Sequence, residues 1–387
     1  MAQIAFSLML LAAAFLMSRG FRHSLEEDGG FAEGAREHVL LVRFDPRLVQ
    51  YDASQIRSFY ELLAERLRET PGVQSASFSQ TPPLGLDDFD RIAFVPEGFT
   101  MPRDQESFTA WTDTVDRGFF ETMGVSILRG RAFSATDTAD SPRVAVVNEQ
   151  FARHYWPGGD AVGKRFRIPN AGGASVEIVG VAQTIKYRET FGKRPDVVYL
   201  ALAQHPVARM VLLVRSTGDP LPLVEAVKRV ARGLDANMPL LETRTYAELY
   251  RYSAVEGPGI AIKLVGTLGA VGFFLAIAGL YGIVAYNVSR RTHEIGIRIA
   301  IGARPRDVTR LVMGKGLRLV AVGTAIGLVL GVALERLMNA MLFNAGGTDL
   351  LVYAVVVPTM ILVTMLAAWV PARKAARIAP TIALRYE

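Results

Sequence analysis

Three groups of residues have types and spacing that chemistry could use. Gly158-Gly-Asp-Ala-Val-Gly163-Lys164 has the spacing of a phosphate-binding loop. Such a loop needs a strand before the glycines and a helix N-terminus after them, to aim backbone N–H groups at phosphate. It also needs a Ser or Thr to hold magnesium. Arg165 stands where that hydroxyl belongs, and Arg165–Ile168 alternates like a strand, so the stretch reads as a glycine turn. Asp87, Asp88 and Asp90 cluster beside Pro82 and Pro83. Paired carboxylates can do acid–base work or hold a cation, but a solvated loop is the simpler reading. The five histidines (His23, His38, His154, His205, His293) show no metal-ligand spacing and no HExxH. There are no cysteines and no GxSxG elbow, which removes thiol chemistry, a disulfide framework and a hydrolase serine. The expectation is a non-enzyme, with no catalytic residue, cofactor or metal site.

The elements that organise the chain are apolar. Leu264 to Ser289 is free of formal charge and longer than the ~20 residues that a helix needs to cross a bilayer. The segment that follows packs Arg290, Arg291, Arg298, Arg304, Arg306, Arg310, Lys315 and Arg318 against only Glu294 and Asp307. Its charge of +6 equals the formal net charge of the whole protein. Basic charge placed beside an apolar span marks the cytoplasmic side, and we expect no nucleic-acid partner.

The other spans are placed from that assignment. Met1–Ser18 is an apolar run just long enough to cross. It lacks the basic n-region of a cleaved signal, so a retained helix is expected. Arg19 and Arg22 would prefer the inside, but the larger basic cluster dominates and puts Met1 inside. A third span, near Leu319–Leu342, carries Gly323, Gly327 and Gly331. Small residues at i, i+4 and i+8 let two helices approach closely in lipid. Glu335 and Arg336, near its outer end, are expected to pair or sit in the interface. A fourth span runs from Leu351 to about Val370, followed by the basic Pro371–Arg377.

Residues from about 25 to 250 contain no further span. His38–Phe44, Asp52–Glu69 and Gly72–Ser79 read as strand, helix and strand, with Ile56, Phe59, Leu62, Leu63 and Leu67 on the helix stripe. The pattern recurs at Arg209–Arg215, Leu221–Leu234 and Pro239–Thr243, so the two units could share one split βαβ layer. Residues 85–203 read as an inserted lobe with short strands at Arg143–Asn148, Lys164–Ile168 and Ser175–Val181. The expected fold is an α-helical membrane protein with four transmembrane helices and a large α+β extracytoplasmic domain of two lobes. Its divisions are 1–24 (first span), 25–252 (outer domain) and 253–387. The split lobe covers about 36–84 and 204–248. The later spans fall at about 262–289, 317–342 and 351–371, with the basic loop at 290–316.

Within that loop, His293–Ile301 interleaves apolar residues with charge, Gly302–Pro305 breaks the run and Asp307–Val312 resumes it. A short helix on the inner membrane face is expected, either as an anchor or as a docking surface. Here Glu294-Ile-Gly-Ile-Arg298, Ala300-Ile-Gly302-Ala, Pro371-Ala-Arg-Lys-Ala-Ala-Arg377 and Ala383-Leu-Arg-Tyr-Glu387 resemble the FtsX/MacB class of ABC-transporter permeases. Gly124-Val-Ser-Ile-Leu-Arg-Gly-Arg131, Val146-Val-Asn-Glu149 and Trp156-Pro-Gly-Gly-Asp-Ala-Val-Gly-Lys-Arg-Phe166 resemble the periplasmic core domain of MacB-like permeases. The pattern is most similar to the second half of the duplicated, acidobacterial-type permeases. Those carry two four-span modules, whereas this chain carries one.

The resemblance implies a bacterial inner-membrane permease whose cytoplasmic loop couples to a separate ABC ATPase. Arg291, Glu294, Ile295, Gly296, Ile297, Arg298 and Gly302 would form the coupling segment. It implies export or extraction of a periplasmic substrate by mechanotransmission, in contact with membrane lipid. Either a homodimer or a second permease module would complete the assembly. A regulatory membrane protein that activates a periplasmic partner, such as a cell-wall hydrolase, is the alternative.

Overall fold

The computed structural model describes residues 2–26, 37–85, 89–99, 101–102, 105–169, 173–187, 194–290, 305–338 and 350–375. The elements begin with α1 (Ala2–Glu26), β1 (Val39–Phe44), α2 (Ala53–Arg68), β2 (Val73–Ser79), β3 (Asp90–Pro96) and β4 (Phe108–Val115). Then come α3 (Phe119–Met123), β5 (Ile127–Gly130), β6 (Val144–Asn148), α4 (Glu149–Tyr155), β7 (Arg165–Ile168) and β8 (Ala174–Ala182). Next are β9 (Val197–Ala201), β10 (Met210–Ser216), α5 (Leu223–Leu234), β11 (Glu242–Thr245) and α6 (Tyr246–Tyr250). The long helices α7 (Gly257–Arg290), α8 (Pro305–Met338) and α9 (Leu350–Ala375) complete the set. Two compact units result: a mixed unit of Glu27–Glu189 with Lys193–Gly257, and a helical unit that contains α1 and the chain from Pro258 onward.

In the mixed unit, Asp52 starts α2 by accepting from the backbone N–H groups of Ser54 and Gln55. The Gln55 side chain accepts in return from the Asp52 N–H. That reciprocal box satisfies donors that a helix start leaves open. Ile56, Phe59, Tyr60, Leu63, Ala64 and Leu67 are the buried face. Leu62, expected on that stripe, is 43% exposed; it lies two positions, about 200° around the helix, from both Tyr60 and Ala64.

The sheet order β11-β1-β10-β2 is antiparallel throughout. The two strand–helix–strand units therefore interleave, with β10 seated between β1 and β2. Helices α2 and α5 share one core with Leu40, Val42 and Phe44 of β1, on one face of the layer. The last strand lies at Glu242–Thr245, later than the expected Pro239–Thr243.

The middle of the chain continues the same sheet. β2 meets β4 through the single pair Ser79↔Val115. From β4 the order runs β3-β7-β8-β6-β9, and β9 pairs back onto β4, closing a ring of six strands. Phe94, Phe166, Val176, Ile178 and Val198 share its core with Phe151 and Tyr155 of α4. Strands β3, β4, β5 and β9 add to those read from sequence. Val197–Ala201 is buried at every position, so it lacks the alternation that marks a half-exposed strand.

Among the described residues, three helical stretches are long and apolar enough to cross a membrane: Ala2–Arg22, Tyr246–Arg290 and Val320–Leu337. α9 contributes a shorter apolar stretch, Tyr353–Val363. α8 is described from Pro305 onward. Asp307–Val312 is thus part of the helix that continues through Val320, not a separate piece in a loop running to 316.

Candidate functional site

The bundle is built on glycine. Gly323, Gly327 and Gly331 of α8 are all buried. A Cβ at Gly327 would lie 2.9 Å from both the Cα and the carbonyl oxygen of Ala5, on α1. One at Gly331 would lie 3.3 Å from the Tyr353 ring of α9. α7 meets α1 in the same manner. A Cβ at Gly269 would come within 3.1 Å of the Leu11 side chain, and one at Gly272 within 2.8 Å of Ser7 Oγ. Further along, Gly266 faces Ala14 and Gly279 faces Gln3, so the two helices run antiparallel. α1 is therefore gripped by glycines of two helices, and Ile4 and Leu8 pack with Ala276, Leu280, Val284 and Val320. Van der Waals packing at such close approach holds apolar helices together where lipid offers no hydrophobic drive.

A polar contact joins α8 to α9. The Tyr353 hydroxyl donates to Glu335 Oε2 at 3.0 Å, and Glu335 is only 2% exposed. The expectation of a pair or an interfacial position resolves here into a hydrogen bond inside the bundle. Sequence gives no partner for Glu335, because Tyr353 is reached only through the packing of two helices. At the helix ends, Arg290 lies over the Tyr286 ring at 5.7 Å and Arg373 over Trp369 at 4.9 Å. Cation–π pairs of this sort suit a membrane interface, where the ring is half-immersed and the charge is wet. The segment expected to couple, with Arg291, Glu294, Ile295, Gly296, Ile297, Arg298 and Gly302, lies outside the described residues.

In the mixed unit, the phosphate-loop spacing leads nowhere. α4 precedes the glycines and β7 follows them. Gly158 and Gly163 hold φ of +75° and +80°, and the Gly163 N–H is spent on the Ile178 carbonyl at 2.8 Å. Asp90 opens β3 and accepts from the Gln80 side chain, while Asp87 and Asp88 lie outside the described residues. His154 Nδ1 meets Asp196 at 2.7 Å on the surface. No group of three or more His, Asp or Glu among the described residues is placed to hold a metal ion.

Sequence reading passed over Asp113, which is fully buried on β4 beside Ser79, Thr81 and Tyr187. The signal was available. In Phe108–Val115, Asp113 shares a strand face with Val115, where alternation calls for an apolar residue.

Comparison with known proteins follows these two units. Residues 1–230 match the family described as MacB-like periplasmic core domain, and residues 266–380 the FtsX-like permease C-terminal family. An uncharacterized ABC transporter permease of Bacillus subtilis, YknZ, is 23% identical over 86% of this chain and 85% of its own length. The macrolide export ATP-binding/permease protein MacB of Marinobacter nauticus is 25% identical over 76% of this chain and 47% of its own length. That of Chromobacterium violaceum is 28% identical, with 70% and 43% covered. The chain thus spans most of the YknZ relative and about half the length of the MacB relatives. Among solved structures, the periplasmic region of MacB from Actinobacillus actinomycetemcomitans aligns with a TM-score of 0.39 at 13% identity, over 59% of this chain and 97% of that one. With one matched family covering well over half of its length and the other its apolar helices, the chain belongs to the FtsX/MacB class of ABC transporter permeases, membrane proteins with a MacB-like periplasmic core domain.

Proposed function

We propose that this chain is the non-catalytic permease subunit of an ABC transporter. A separate cytoplasmic ATPase docks on the segment around Arg291–Gly302, and its cycle drives export or extraction of a substrate on the periplasmic side. Four helices, α1 and α7–α9, cross the membrane, with both termini in the cytoplasm. The observation that carries this reading is the bundle itself. α1 is held by glycines of α7 and α8, and the chain that leaves α7 carries Arg290, Arg291 and Arg298 into α8. Basic charge there belongs inside, where an ATPase would be found. Glycine contacts make few bonds that movement must break, so force applied between α7 and α8 could shift the helices as bodies. Assembly as a homodimer or with a second permease module would give the ATPase two docking segments.

The test is co-purification from mild detergent with candidate ATPases, comparing the native chain with Glu294→Lys and Arg298→Glu. Loss of association and of ATPase stimulation is expected, and unchanged association removes the docking claim. Topology is checked independently. Thr309→Cys supplies the chain's only cysteine, and an impermeant reagent should label it only after permeabilisation.

A further inference from the structure

The mixed unit holds a cleft of about 490 Å³ between α2, the ends of β2 and β4, and the chain at 133–139. That volume lies within the range of small-ligand pockets, roughly 300–1,000 Å³. Its floor is apolar, formed by Phe78, Val115, Phe133 and Leu202, all buried. Its α2 wall carries Arg57 and Glu61, one turn apart. Opposite charges at i, i+4 stand near enough to pair, yet these two do not pair. Neither has an ion-pair or hydrogen-bond partner among the described residues. Arg57 is half-buried and Glu61 exposed, so both charged ends are open to a ligand that enters the cleft.

The charge balance narrows the class of ligand. Asp116 is matched by Arg68 at 3.2 Å and Asp137 by Arg131 at 2.7 Å. The remaining lining charges are Arg57 and Arg117 against Glu61 and Glu65, so the cleft has no net sign. A singly charged ligand would match one of the two α2 side chains and leave the other without a partner. An ammonium beside Glu61 and an anion beside Arg57, on one apolar body, satisfies both.

We propose that this cleft binds a zwitterionic amphiphile, with Arg57 holding its anionic group, Glu61 its ammonium, and the apolar tail lying on Phe78, Val115, Phe133 and Leu202. The ethanolamine spacer of a phospholipid headgroup sets phosphate and ammonium a few ångströms apart, on the scale of the ~5.4 Å pitch of one helical turn. A phosphate-free zwitterion of the same span offers the same chemistry.

The experiment uses the full chain in nanodiscs of phosphatidylglycerol, which lack the zwitterionic headgroup. Dodecylphosphocholine, below its micelle concentration, is titrated by calorimetry into native, Arg57→Gln and Glu61→Gln chains. Subtraction between them removes partition into the bilayer. A saturable one-to-one component, weakened about tenfold in each variant, is expected for the loss of one charge-assisted contact. Arg57→Lys keeps the charge and should retain most of the binding, separating recognition from misfolding. Equal heats in native and variant chains overturn the assignment. So does equal affinity for laurate or dodecyltrimethylammonium, which carry one charge each. A phosphate-free sulfobetaine of the same length that binds as well supports a general zwitterion site; a preference for phosphocholine supports a phospholipid. No ATPase is present, so failure of the docking experiment leaves the cleft as it stands.

Discussion

Ser79 Oγ donates to Asp113 Oδ2 at 2.8 Å across the seam where β2 meets β4. Only one residue pair, Ser79↔Val115, continues the ladder there. The Thr81 N–H donates to Asp113 Oδ1 at 3.1 Å and the Tyr187 hydroxyl to Oδ2 at 3.3 Å. One buried carboxyl thereby ties the split layer to the closed ring, at the point where backbone pairing is thinnest.

Burial pushes the Asp113 carboxyl up to about 7, against an ordinary value near 3.9. The folded state therefore keeps a proton that the unfolded state has shed, and stability falls as pH rises. The contribution is whole below the unfolded value and is lost between about 4 and 7. Burial moves the neighbouring Asp116 the same way, to about 6, despite Arg68. Denaturant midpoints of the purified chain should fall from pH 5 to pH 8. Asp113→Asn should flatten that slope, by about 1.4 kcal/mol per pKa unit removed. A slope unchanged in this variant would assign the effect to other groups.

Gly327 brings α8 against the backbone of α1 at Ala5. Gly327→Ala should cost about 1–3 kcal/mol through overpacking, because the clashing atoms are Ala5 backbone and cannot rotate away. Gly282→Ala, in α7 with nothing within 4 Å, is the control and should be neutral or slightly stabilising. Thermal inactivation in detergent distinguishes the two, and equal midpoints would mean that α1 yields.

Tyr353→Phe removes the donor to Glu335 without changing the ring on Gly331. Interhelical hydrogen bonds in membrane proteins contribute about 0.6 kcal/mol on average and at most about 1.7. A loss in that range is expected. The double variant with Glu335→Gln should lose less than the sum of the single changes, and strict additivity would show that the two side chains do not interact.

Arg68 closes the open edge of β2. Its Nε and Nη2 donate to the Ala76 carbonyl at 3.1 and 2.8 Å, and Nη2 also reaches Asp116 at 3.2 Å. Arg68→Ala leaves a strand edge bare and a half-buried carboxylate unpaired. A loss of about 1–3 kcal/mol is expected, with greater aggregation on heating. Arg68→Lys, a single point donor, should recover only part.

Sequence by itself determined the apolar spans, the basic segments at their ends, the amphipathic α2 and the two strand–helix–strand units. Each is written in contiguous residues, as an uninterrupted apolar run, a local excess of charge or a period of 2 or 3.6. Tertiary structure decided what distant residues share. It interleaved β10 between β1 and β2, closed the ring by pairing β9 with β4, and set Gly327 against Ala5 and Glu335 against Tyr353. It also placed Asp113 in the seam and left Arg57 and Glu61 facing a cleft. Local propensity carries no information about such partners. Which strand edge, glycine face or buried carboxyl finds which neighbour depends on how whole elements bury their surfaces together.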